Sequence, residues 1–403
     1  MKRITTGDGD LIRNLNLGIV LDTIRENKSV SRAQISKLTG LSRSTCSLLV
    51  DQLLRSGLIV EIGKDESSGG RKPVLLQVNY DAGRAIGVKL MQEKIIAALV
   101  DLQGRVVKIV ETPVPQGKNQ PEYIRFLTGA IRKLITYEKR RKNGRKLLGI
   151  GIGMSGLIDF ETGTSLHSTI LGWENVPLRD ILEKEFSIPV YLENDVNTFT
   201  IGEKWFSAAK TRDSFLCVTI GRGVGGGFII DGKLYRGCHH GAGELGHMKI
   251  SETNDAPVCS CGKRGCLEAY VSDPAICSYV KSGIDAGRRS LLSGEKEIHL
   301  KMALEAAKQN DELCLEAFRR AGRYLGIGIS NLINIFDPEM IIISGEGTAA
   351  GDFIFPEMRA AVSENSVYDL HKKVRIVELL YEDDMWVRGV ATLVVREVFK
   401  IPF

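Results

Sequence analysis

The chain has 403 residues, 43% hydrophobic and 26% charged, with eight cysteines and a formal net charge of +5. That length supports about two or three domains with proper cores, and no apolar run reaches the length of a membrane span or forms a secretory leader, so a cytoplasmic protein with no membrane partner is expected. The charge is uneven: residues 1–80 hold twelve Lys/Arg against eight Asp/Glu, whereas residues 81–403 hold 42 against 41.

Apolar residues recur at helical spacing over residues 11–26, predicting a first helix with Ile12, Leu15, Ile19 and Ile24 on one buried stripe. Ser31 followed by Gln34 is a capping box that opens a second helix, which runs to Leu38 and ends before Gly40. Ser42 caps a third, whose expected inner face is Leu48, Leu49, Leu53 and Leu54. The short Thr39-Gly40-Leu41 link makes the pair a helix-turn-helix. Ser42, Arg43, Ser44, Thr45 and Ser47 are then expected to point outward, where small hydroxyls and a guanidinium suit phosphates and base edges in a major groove. Strand patterns over 58–62 and 74–78 flank a polar tip carrying Arg71 and Lys72, a wing that would track phosphates or enter the minor groove. The competing reading is a helical protein-interaction module with a solvated loop; the local cationic excess favours double-stranded operator DNA. A unit this small binds weakly alone, so a homodimer or homotetramer is expected.

From residue 84 strand and helix patterns alternate, as in an α/β domain. Strands are expected over 85–90, 95–101, 105–113, 148–154, 190–193, 215–220, 227–230 and 340–344, with a helix over 121–139 and mostly helix from 265 to 336. Two three-stranded starts, each followed by helices, suggest two related lobes. Within the second lie His247, Cys259, Cys261 and Cys266, soft nitrogen and sulfur donors for one tetrahedral Zn2+. Gly262 and Gly265 let the Cys-x-Cys-Gly-x-x-Gly-Cys backbone turn sharply. Four protein ligands leave no open position, so the zinc would be structural. The alternative is three buried or disulfide-bonded cysteines beside an unrelated histidine.

Leu192-Glu193-Asn194-Asp195-Val196-Asn197, Gly241-Ala242-Gly243-Glu244-Leu245-Gly246-His247-Met248 and the run from Cys259 to Glu268 together resemble the ROK family of sugar kinases and sugar-responsive repressors. Gly153-Met154-Ser155-Gly156-Leu157-Ile158-Asp159 and the run from Gly172 to Leu178 support it, and the resemblance covers nearly the whole chain. It implies an N-terminal winged helix-turn-helix (1–80) followed by a two-lobed, actin-like (ribonuclease H-like) sugar-kinase-type domain (81–403). Lobe one would be about 81–197 plus the C-terminal helix and lobe two about 198–384, with a sugar cleft between them and a zinc-ordered loop on one wall. It also implies that Asn194, Asp195, Glu244, His247 and Glu268 bind sugar hydroxyls, chemistry that carboxylates, an amide and an imidazole supply. His247 would serve zinc and sugar through opposite ring nitrogens. In the kinases the residue matching Asp195 is the general base.

The chain departs from those kinases at the first phosphate loop. Where they carry Asp-x-Gly-Gly-Thr it reads Lys89-Leu90-Met91-Gln92-Glu93, which removes the metal-orienting carboxylate and both glycines. The second loop, Gly221 to Gly227, keeps its glycines but has Arg222 in place of a hydroxyl residue. The expectation is therefore a repressor of carbohydrate uptake or catabolic genes with a xylose-, glucose- or N-acetylglucosamine-class effector, and not an enzyme. The alternatives are a sugar kinase that retains a DNA-binding domain, or a structural zinc protein that binds neither sugar nor DNA.

Overall fold

The computed structural model describes residues 9–64, 73–142, 144–207 and 209–399. It contains α1 (Gly9–Glu26), β1 (Val30–Ser31), α2 (Arg32–Thr39), α3 (Arg43–Arg55), β2 (Ile59–Lys64) and β3 (Val74–Val78). Ser31 caps α2 with the expected reciprocal bonds to Gln34, and Gly40 follows it at φ 71°, where only glycine turns without strain. Strands β2 and β3 form the wing hairpin, and β1, unforeseen, pairs with β3. The core of this module is Val20, Leu21, Ile24, Ile35, Cys46, Leu49, Val50, Leu53 and Leu76.

Two expected helix faces are corrected. Ile24 is buried as expected, but Ile12 and Ile19 are 51% and 38% exposed, and α1 buries Val20 and Leu21 beside Ile24. Leu48 is 68% exposed, and α3 buries Cys46, Leu49, Val50 and Leu53. Both helices carry more apolar residues than one stripe holds, so periodicity left the phase open and the neighbouring helices chose it.

Next come β4 (Arg84–Leu90), β5 (Lys94–Asp101), β6 (Val106–Pro113), α4 (Gln120–Lys139), β7 (Leu147–Met154), the small antiparallel sheet β8 (Leu157–Asp159), β9 (Thr164–Ser168) and β10 (Trp173–Val176), then α5 (Leu178–Phe186), β11 (Val190–Asn194) and α6 (Asp195–Phe206). The major sheet here has the order β11-β7-β4-β5-β6. Beyond it are β12 (Phe215–Ile220), β13 (Val224–Ile230), β14 (Lys233–Leu234), α7 (Glu268–Val271), α8 (Asp273–Asp285), α9 (Leu300–Lys308), α10 (Glu312–Phe336), β15 (Met340–Ser344), α11 (Gly351–Asn365), β16 (Arg375–Glu378) and α12 (Asp383–Phe399). The second sheet has the order β14-β13-β12-β15-β16. In each sheet the first strand in sequence pairs antiparallel with the second and parallel with the fourth, so both are built on one plan.

The chain divides into two compact units, residues 1–202 with 386–403, and residues 203–385. In the first, β7 alternates glycine and isoleucine. Ile150, Ile152 and Met154 pack with α4 and α5, while Gly149, Gly151 and Gly153 face α12; a Cβ at Gly151 would lie 2.4 Å from the Val390 carbonyl oxygen. That contact forces glycine. In the second, α10 carries its long buried face onto α11 through Gly322 and Gly326, where a Cβ would strike the Ile354 and Met358 carbonyls.

Candidate metal centre and recognition surfaces

The N-terminal end of α3 is exposed at Ser42, Arg43 and Ser44. Thr45 and Ser47 are half-buried, a correction to the expectation that all five point freely outward. The cause is the cap itself. The Ser42 hydroxyl accepts from the Thr45 amide at 3.1 Å and lies 2.8 Å from the Thr45 hydroxyl, which holds Thr45 against the helix end. Arg32 reaches across from α2 to the Asp51 carboxylate at 2.8 Å and the Ser47 carbonyl, fixing the angle of the two helices. Arg71 and Lys72 lie outside the described residues.

The cysteine knuckle is a tight hairpin. The Cys259 amide donates to the Lys263 carbonyl at 2.7 Å, and Gly262 and Gly265 hold φ of 81° and 75°. A Cβ at Gly265 would sit 1.9 Å from the Ser251 carbonyl oxygen. His247 ends a 3-10 turn (Leu245–His247) that begins directly after Glu244. The donor atoms of His247, Cys259, Cys261 and Cys266 all lie within 4.8 Å of one another, a group that can hold a metal ion. His247 Nδ1 is 3.5 Å from Cys259 Sγ, while Nε2 is 3.7 Å from a Glu244 carboxylate oxygen. One nitrogen thus faces the sulfurs and the other faces away. Cys261 and Cys266 are 3.8 Å apart at sulfur, much longer than a disulfide.

The electrostatics fit a cation. Burial pushes the Cys259 thiol up to about 12 and the Cys266 thiol above its ordinary value, while the Lys263 backbone N–H draws Cys261 down. Thiolates desolvated in this way need a positive partner, which a divalent metal supplies. Glu268, at the start of α7, accepts the Ser260 hydroxyl at 2.5 Å through one carboxylate oxygen and the Val224 amide at 3.2 Å through the other. Glu244, His247 and Glu268 therefore border one knuckle. Ser260 was not foreseen as a partner of Glu268, since nothing in the Cys-Ser-Cys spacing distinguishes an anchoring hydroxyl from a filler.

Asn194 and Asp195 belong to the other unit, at the junction of β11 and α6. The Asn194 side-chain oxygen accepts the Val196 and Asn197 amides at 2.9 and 3.2 Å, and its NH2 donates to the Gly156 carbonyl. Asn194 is thus a helix cap as well as a candidate ligand. Asp195 is half-buried at the first position of α6.

A carboxylate pair borders the glycine loop of the second unit, and the sequence alone did not single it out. The Asp273 amide donates to the Gly221 carbonyl at 2.8 Å, and a Cβ at Gly221 would lie 2.5 Å from a Glu346 carboxylate oxygen. Burial, with Glu346 adding to it and Arg222 opposing it, pushes Asp273 up to about 7. Its only sequence sign was Glu346 between Gly345 and Gly347.

With this geometry in hand, the similarities are consistent. A profile of the ROK family matches residues 85–397, and one for winged helix-turn-helix DNA-binding matches residues 18–60. The chain is 36% identical over 399 residues to the xylose repressor of Caldicellulosiruptor bescii, covering 98% of this chain and 99% of that one. Among solved structures it resembles a ROK family transcriptional regulator described as a homologue of the E. coli MLC protein, with TM-score 0.85, 28% identity and coverage of 97% and 98%. It also resembles a ROK family glucokinase from Streptomyces griseus in complex with glucose and AMPPNP, with TM-score 0.66, 29% identity, and coverage of 77% of this chain and 99% of that one. The repressor likenesses span the winged helix. The glucokinase likeness spans a smaller share of the chain.

Proposed function

The chain belongs to the ROK family, and on that premise we propose that it is a sugar-responsive DNA-binding transcriptional repressor of carbohydrate uptake or catabolic genes. The carrying observation is the union, in one chain, of a capped and exposed helix-turn-helix with a ROK domain whose Cys3His knuckle is bordered by two carboxylates. The reading makes Ser42, Arg43, Ser44, Thr45 and Ser47, with Arg71 and Lys72, the operator contacts. A monosaccharide of the xylose, glucose or N-acetylglucosamine class is the effector, with Asn194, Asp195, Glu244, His247 and Glu268 as its hydroxyl ligands. A homodimer or homotetramer presents two winged helices to a two-fold operator. The domain boundaries follow the same reading, with the DNA-binding module ending near residue 80.

Zinc is the metal that suits three thiolates and an imidazole. Held by His247, Cys259, Cys261 and Cys266, it would supply the positive charge that keeps the buried sulfurs ionised. The chain's own residues do the rest: Gly262 and Gly265 shape the turn, and His247 keeps Nε2 beside Glu244 for a ligand. Induction requires that the sugar bind the DNA-incompetent arrangement better than the competent one, because equal affinity shifts no population.

Several features favour a sensor over a kinase. Lys89, where the family's kinases have aspartate, is 4% exposed with its ammonium 3.7 Å from the Trp386 ring centroid. Met91 is fastened in a tight β4-β5 turn, its amide donating to the Lys94 carbonyl and its carbonyl accepting the Tyr123 hydroxyl at 2.7 Å. These features support the reading that this segment is unsuited to the close backbone approach that phosphates need. The test is calorimetric titration with xylose, glucose and N-acetylglucosamine, each repeated with ATP and magnesium while sugar phosphate is followed. Binding without turnover is expected. Turnover that disappears in Asp195→Asn would make the protein an enzyme. Cys261→Ser should lose stoichiometric metal and weaken sugar binding; full sugar affinity in the metal-free variant would separate the two roles.

A further inference from the structure

Residues 132–146 carry eight Lys/Arg and one Asp/Glu, and the remainder of residues 81–403 carries 34 against 40. The single acid, Glu138, is 2% exposed and committed to Arg84 at 2.5 Å and to the Arg145 amide at 2.6 Å, so it does not neutralise the surface. Lys139, Arg140, Lys142 and Lys146 are all exposed. None of the four has an ion-pair partner among the described residues. Arg141 is anchored beside them by the Tyr137 hydroxyl at 3.2 Å, and a groove of about 760 Å³ runs between Lys139, Arg141, Lys142 and Arg145. Folding and internal pairing therefore do not account for these charges. An unpaired cluster of this density raises the free energy of the isolated protein through self-repulsion and is relieved by a polyanion.

Its position narrows the partner. Arg145 pairs with Asp81 at 3.0 Å, three residues past the end of wing strand β3, and the Lys146 carbonyl accepts the Arg84 amide at 2.9 Å. The cluster thus abuts the connector that leaves the wing, within the same compact unit as the recognition helix. We propose that the cationic end of α4 and the loop after it form a second duplex-DNA surface that grips backbone phosphates flanking the recognition helix, without reading sequence. Phosphate contacts position a protein on the duplex while base contacts specify the site, and the cluster has the charge for the first task. The inference rests on the DNA-binding reading above.

The experiment measures affinity of the full chain for a long random-sequence duplex as a function of salt. One variant combines Lys139→Gln, Arg140→Gln, Lys142→Gln and Lys146→Gln. A control removes equal charge from the other unit at exposed Lys233, Arg289, Lys296 and Lys301, each to Gln. Each lost phosphate contact flattens the plot of log affinity against log salt by about 0.9, so two lost contacts cut the wild type's advantage about tenfold between about 50 and 200 mM salt. The control should keep the wild-type slope. Splitting the variant into Lys139/Lys142 and Arg140/Lys146 pairs, each expected to give part of the change, guards against a folding defect in the fourfold protein. An unchanged slope in the variant overturns the proposal and leaves an acidic protein as the partner to seek. A wild type that binds no duplex at all overturns the DNA-binding reading along with it, an outcome visible before any variant is made.

Discussion

Glu138→Gln probes how the C-terminal end of α4 is tied to the start of β4. Glu138 is 2% exposed and Arg84, where the chain enters β4, is 9% exposed. One carboxylate oxygen accepts Arg84 Nη1 at 2.5 Å, and the other accepts the Arg145 amide at 2.6 Å. The substitution keeps size and one acceptor but leaves a guanidinium buried without its counter-charge, which costs about 3 kcal/mol, the low end for a broken buried pair. For a unit of this size that is a fall of roughly 6–12 °C in the midpoint of its thermal transition. Calorimetry and urea unfolding of both proteins measure it. Replacing both partners together, Arg84→Met with Glu138→Met, should recover part of the loss, because a matched apolar pair leaves no stranded charge while the Arg145 amide still loses its acceptor. A single variant within about 0.5 kcal/mol of wild type, the range of an ordinary surface change, would refute the claim that the pair is a buried, mutually dependent unit.

Three further outcomes are expected. Ser42→Ala removes the hydroxyl that accepts the Thr45 amide, so it should lower the stability of the winged helix by about 1 kcal/mol and weaken operator binding in gel-shift titration; unchanged values on both counts would remove Ser42 from the account. Gly243→Ala places a Cβ 2.0 Å from the Gly226 carbonyl oxygen at φ 97°, so it should displace the neighbouring Glu244 and lower sugar affinity by about tenfold or more, as calorimetry would read; wild-type affinity would show that the turn does not position Glu244. Asp273 is pushed up to about 7 in the folded protein from an ordinary 3.8, so the folded state holds the extra proton, and stability falls as pH rises between those values. Asp273→Asn should therefore stabilise most above about pH 7 and little near the ordinary carboxylate range; a melting-temperature gain that does not vary with pH would contradict this.

What the sequence determined by itself was local. The capping box at Ser31, the turn at Gly40, the strand runs of both sheets other than β14 and β16, and the Cys-x-Cys-Gly-x-x-Gly-Cys knuckle are signals within a few residues, where backbone chemistry has one economical solution. Motif runs such as Leu192 to Asn197 and Gly241 to Met248 pointed to the family for the same reason, since each packs its distinguishing residues into a short span. Tertiary structure decided what depends on a distant neighbour. It exposed Leu48 and Ile12, because the phase of an apolar-rich helix is set by the helices it meets. It drew Asp273 and Glu346, 73 positions apart, to one glycine loop. It buried the one acid of the α4 terminus against Arg84 and left Lys139, Arg140, Lys142 and Lys146 without an ion-pair partner among the described residues, and no spacing rule contains that, because burial and pairing are properties of a surface and not of a string.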